Sequence, residues 1–77
     1  MHVSGILVVT EPQEMEVCAR ELEALPGLEV HYQYPDLGRL VVVQETETVQ
    51  EQEDGLRRIQ SLPSVVMAAL VEHRIDS

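Results

Sequence analysis

The stretch Ile6-Leu7-Val8-Val9, preceded by Ser4-Gly5 and closed by Thr10, is apolar at every position. β-Branched residues dominate it, so it reads as a strand from about His2 to Thr10. Successive strand side chains point to opposite faces, which sends Ile6 and Val8 one way and Leu7 and Val9 the other. A strand with two apolar faces belongs in the middle of a sheet. Leu40-Val41-Val42-Val43, within Arg39 to Glu45, has the same character and predicts a second central strand. Between them the period changes. Met15, Cys18, Leu22 and Leu25 recur at steps of three, four and three, with Ala19 widening the stripe, which is helical spacing. Pro12 suits the first helical position, and Glu11, Glu14 and Glu16 favour the positive end of the helix dipole. Pro26-Gly27 predicts the helix end at Leu25.

Leu28 to Tyr34 alternates, with Leu28, Val30, Tyr32 and Tyr34 on one face and Glu29, His31 and Gln33 on the other. This predicts an edge strand with one wet face. Pro35-Asp36-Leu37-Gly38 has turn residue types, so the strands on either side form a hairpin. Thr48 followed by Glu51 is a capping box. Val49, Leu56, Ile59 and Leu62 share a helical face. Gly55 weakens that helix unless it permits close approach to the sheet. Pro63 stops it, Val65 to His73 forms the last strand, and Arg74 to Ser77 is expected to fray.

The resulting order is βαββαβ, an α+β ferredoxin-like architecture: a four-stranded antiparallel sheet with two helices on one face, spanning residues 1–77 as one domain. The first and third strands are expected at the centre, running parallel to each other. Parity assigns Ile6, Val8, Leu40, Val42, Val66, Ala68 and Leu70 to the helix side. Leu7, Val9, Val41, Val43, Met67, Ala69 and Val71 are left on the open face. An uncovered apolar set on a small domain marks a contact surface. It is the candidate binding site, with pairing of two copies through the same face as the competing use.

Charge narrows the partner. Fourteen acidic residues stand against five arginines, for a net charge of −9. That disfavours nucleic acid, whose readers carry a basic footprint, and favours a basic partner. No aromatics lie on the central strands, where an RNA-recognition module of this topology would stack bases. The single cysteine, Cys18, excludes an internal disulfide and sits on the apolar stripe as a core residue. The paired-cysteine loop of metallochaperones with this topology is absent. His2 and His73 are expected to lie close, but His31 falls on the far edge, so no metal or other cofactor is expected. Ser4, Ser61 and Ser64 have no grouped histidine and carboxylate, and no phosphate-binding glycine loop occurs. The pattern points away from an enzyme. It carries no secretory signal and no stretch long enough to span a bilayer, so membrane insertion is not expected and a cytoplasmic location is.

Val3-Ser4-Gly5-Ile6-Leu7-Val8, Pro12, Leu25-Pro26-Gly27-Leu28-Glu29-Val30-His31, Gly38-Arg39-Leu40-Val41-Val42 and Ala69-Leu70-Val71-Glu72-His73 together resemble the NapD family. The resemblance runs over nearly the whole chain. Glu72 departs from it, since relatives often carry an aromatic just before the terminal histidine. The resemblance implies a cytoplasmic chaperone for the catalytic subunit of periplasmic nitrate reductase. Such a chaperone binds the twin-arginine signal peptide of its client and delays export until the molybdenum cofactor is loaded. A small-molecule regulatory module of the ACT type and a structural dimerisation domain share the topology and stand as alternatives.

Overall fold

In the computed structural model, which describes residues 1–75, the chain runs β1 (His2–Thr10), α1 (Met15–Glu23), β2 (Leu28–Tyr34), β3 (Arg39–Thr46), α2 (Val49–Gln60) and β4 (Val65–Ile75). A 3-10 turn at Pro12–Glu14 leads into α1, and another at Pro35–Leu37 lies inside the hairpin. The sheet order is β2-β3-β1-β4, so the two strands that are apolar on both faces are the central pair. They are antiparallel, not parallel. The α1 crossover returns the chain in the direction of β1, which makes β2 the parallel partner in direction, and the hairpin then reverses β3.

α1 stops at Glu23, two residues before Leu25, with Ala24 as its C-cap. The residue before a proline is disfavoured in the helical region, so Leu25 leaves the helix ahead of Pro26. Its N–H still closes a turn onto the Leu22 carbonyl at 3.1 Å. Thr48 caps α2 as expected: its hydroxyl accepts from the Glu51 N–H at 3.0 Å, and the Glu51 carboxylate accepts from the Thr48 N–H at 3.1 Å. β4 continues to Ile75, so Arg74 and Ile75 are paired with β1 and are not a frayed tail. The rest of that expected tail, Asp76 and Ser77, lies outside the described residues.

Both helices cover one face of the sheet. Ile6, Val8, Leu40 and Val42 are fully buried beneath Met15, Cys18, Ala19 and Leu22 of α1 and Ile59 of α2, with Ala68 completing the core. Two residues assigned to this layer by parity are not in it: Val66 is 62% and Leu70 is 40% exposed. Leu70 pairs with Ile6 on the helix side, but β4 is the outermost strand, where the helical cover ends. Val66 falls at a register shift between the Val9–Met67 and Thr10–Val65 pairs. Val49, at the first turn of α2, is also half exposed.

Gly55 is buried against β3. A Cβ added there would lie 1.8 Å from Oε1 of Gln44, whose own Nε2 donates to the Gln52 carbonyl at 3.3 Å. The glycine is what lets α2 lie this close to the sheet.

Candidate functional site

The strand register brings the seven predicted residues of the open face together. Leu7 pairs with Val41 on one side and Ala69 on the other, and Val9 pairs with Met67. Val43 pairs with Gly5. Val71 lies at a register shift in β4, and its Cγ2 comes within 3.8 Å of the place a Gly5 Cβ would occupy, so it too borders this face. Leu7, Val9, Val41, Val43 and Ala69 are half-buried, shielding one another side by side. Met67 and Val71 at the margin are 46% and 62% exposed.

Strict alternation fails in β2. Leu28 and Val30 pair with Gln44 and Val42 and turn toward the helices, whereas Tyr32 pairs with Val41 and Tyr34 with Arg39. A bulge at His31 absorbs one residue and swings both tyrosines onto the open face, 60% and 48% exposed. The cause lies at the two ends of the strand. At one end the Gly27 carbonyl accepts from the Glu45 N–H at 2.9 Å. At the other, the four-residue connection through Gly38, which has φ +66°, sets Tyr34 opposite Arg39. The two anchors differ in register by one residue, so the strand between them must bulge. No residue type at His31 announces this, which is why the alternation misplaced the tyrosines.

The face therefore has four rows. Val3, Glu45 and Arg74 form one end. Gly5, Val43, Glu29 and Glu72 come next. Leu7, Val41, Tyr32 and Ala69 form the third row, and Val9, Arg39, Tyr34 and Met67 the fourth. A recess of about 220 Å³ opens at the acidic end, lined by Gly27, Leu28, Glu29, Val43 and Glu45. Glu72 lies 3.7 Å from Arg74, and Glu29 lies 3.8 Å from His31, both pairs well exposed. The Arg39 guanidinium turns back to donate to the Leu37 carbonyl at 2.8 Å.

Catalytic and metal constellations fare differently. His2 and His73 do meet, with Nδ1 and Nε2 3.1 Å apart and the rings within 10° of parallel. His31 is on the opposite edge strand, and among the described residues no group of three metal-ligating side chains forms. Ser64 donates to the Glu21 carboxylate, and its carbonyl accepts from the Thr10 hydroxyl at 2.6 Å, a structural link between β1, α1 and the start of β4. Cys18 is fully buried in the core. Among the described residues no helix is long and apolar enough to cross a membrane.

Comparison with known proteins bears on the fold and the family. The structure is similar to the solution structure of the E. coli Tat proofreading chaperone protein NapD, with a TM-score of 0.87 and 24% identity over 96% of this chain and 78% of that one. It is also similar to the crystal structure of a hypothetical protein from Pyrococcus horikoshii, with a TM-score of 0.82 and 23% identity over 100% of this chain and 93% of that one. At those identities the likeness speaks for the fold. No curated protein matches the sequence closely. The family description that does match, NapD protein, extends over residues 1–77, from β1 through β4 with every element in place, and the chain belongs to the NapD family.

Proposed function

We propose that this protein is a non-catalytic chaperone that binds the twin-arginine signal peptide of a periplasmic nitrate reductase catalytic subunit in the cytoplasm. By holding the peptide it delays export until cofactor loading is complete. The observation that carries the reading is the open sheet face, an apolar and aromatic surface on a strongly acidic chain. A signal peptide of this kind joins an apolar stretch to a pair of arginines, and each part has a counterpart on the face. Membership in the NapD family and the name of the similar E. coli protein support the same client class.

The sheet edges favour use of the face over addition of a strand. β2 and β4 are the outer strands, and both pair with their inner neighbours through register shifts. Bulges bend and twist an edge away from the flat geometry that a new strand needs. A peptide lying on the face has its apolar side chains on Leu7, Val41 and Tyr32. Ordering it costs part of the contact energy, which keeps the complex releasable.

Calorimetric titration with a synthetic twin-arginine signal peptide tests this. Saturable binding is expected, and Leu7→Asp is expected to abolish it while circular dichroism shows the fold retained. A folded Leu7→Asp protein with undiminished binding removes the open face from the mechanism. Absence of binding to the unaltered protein refutes the chaperone reading.

A further inference from the structure

The open face is not symmetric end to end, and its asymmetry sets the direction of whatever lies on it. Resting on the peptide-binding reading above, we infer that the bound peptide lies along the strands with its arginine pair over the Glu29–Glu45 recess and its apolar stretch running toward Val9, Tyr34 and Met67. Three observations combine. The carboxylates of Glu29, Glu45 and Glu72 come from three different strands and fall in the first two rows of the face. The recess between two of them has Val43 at its floor and a volume of about 220 Å³. The far row carries no acid and presents Arg39 instead.

A guanidinium is well suited to such a recess. It is planar and weakly hydrated, so it can lay its stem on Val43 while its N–H groups donate to two carboxylates. Gly5 adds room in the neighbouring row. A Cβ there would make only an ordinary contact at 3.5 Å with Glu72, so packing does not demand the glycine. From the Gly5 row to the Val9 row is about 14 Å, four residues at roughly 3.4 Å each. The apolar stretch therefore covers Leu7, Val41, Tyr32 and Ala69 before it reaches the last row. In the reverse direction the arginines would meet Arg39, and like charges facing each other disfavour that pose.

Arg74 adds a competitor. It shares the first row with Glu45 and pairs with Glu72 at 3.7 Å. It occupies the acidic end of the face in place of a peptide arginine, and its removal strengthens the field that the peptide meets.

The test is a titration matrix with two synthetic peptides, one with the arginine pair and one with both arginines replaced by glutamine. Each is titrated into the unaltered protein, Glu29→Gln/Glu45→Gln and Arg74→Gln. All three substituted positions are exposed, so the fold is expected to survive, with circular dichroism as the check. The double variant should weaken the arginine peptide about five- to tenfold and leave the glutamine peptide unchanged. Arg74→Gln should tighten the arginine peptide about twofold. If the double variant still prefers the arginine peptide by the full wild-type ratio, the direction is wrong although the face binds peptide. The same holds if Arg39→Gln, rather than Arg74→Gln, tightens the arginine peptide. If neither peptide binds the unaltered protein, the chaperone reading itself fails and the direction falls with it.

Discussion

Tyr32→Ala separates the bulged strand from the alternating one. With the bulge, the ring stands on the open face beside Val41, 60% exposed. An aromatic side chain presents about 150–250 Å². The exposed share, roughly 90–150 Å², is available to a partner. At about 25 cal/mol per Å² its burial is worth up to about 2–4 kcal/mol. Ordering costs remove part of that, which leaves an expected loss of about 1–2 kcal/mol, or roughly 5- to 30-fold in peptide affinity. The cost to folding is small, about 1 kcal/mol, because most of the ring is already in water. Without the bulge the ring would lie beneath α1 next to Val30, and truncation would cost about 3–5 kcal/mol of stability. Urea unfolding followed by circular dichroism measures the stability and peptide titration the affinity. A large loss of stability with binding unchanged would refute the placement of Tyr32.

Two further substitutions probe how α2 is seated. Gly55→Ala improves helix propensity by about 1 kcal/mol, but its Cβ falls 1.8 Å from the Gln44 amide, which is itself only 4% exposed. Overpacking of about 1–3 kcal/mol and the loss of the Gln44–Gln52 bond outweigh the gain, so a net loss of about 1–2 kcal/mol is expected in denaturant unfolding. Adding Gln44→Ala should recover much of it, whereas a Gly55→Ala protein more stable than the parent would contradict the close approach. Thr48→Ala removes the capping box and should cost about 1 kcal/mol, read as a lower thermal midpoint with peptide binding intact.

Hydrophobic period alone carried most of the architecture. The two-sided runs at Ile6–Val9 and Leu40–Val43 identified the central strands, because a strand with no polar face belongs in the middle of a sheet, with a strand on either side. The helical stripe through Met15, Cys18 and Leu22, the Thr48–Glu51 cap and the stops at Pro26 and Pro63 are local signals, written in residues a few positions apart. They placed every helix and strand to within about two residues except the start of α1, which lies at Met15, three residues after Pro12. The seven apolar residues of the open face followed from parity on the same strands, and the register keeps them together.

What escaped the sequence was long-range register. The direction of the central pair depends on the path of one crossover, through α1, and the hairpin that follows it. The bulge at His31 arises because the Gly27–Glu45 bond and the Tyr34–Arg39 pair differ in register by one residue, and these contacts reach across a hairpin. Its effect is large: Tyr32 and Tyr34 move from the predicted core side to the open face, beside Val41 and Arg39. The shifts in β4 likewise set Glu72 opposite Gly5 and leave Val66 outside the core. Side-chain type along a strand determines which residues can be apolar, but a one-residue slip exchanges the two faces. The sequence by itself therefore determined that this sheet has an uncovered apolar face, and the tertiary structure decided which tyrosines and acids stand on it.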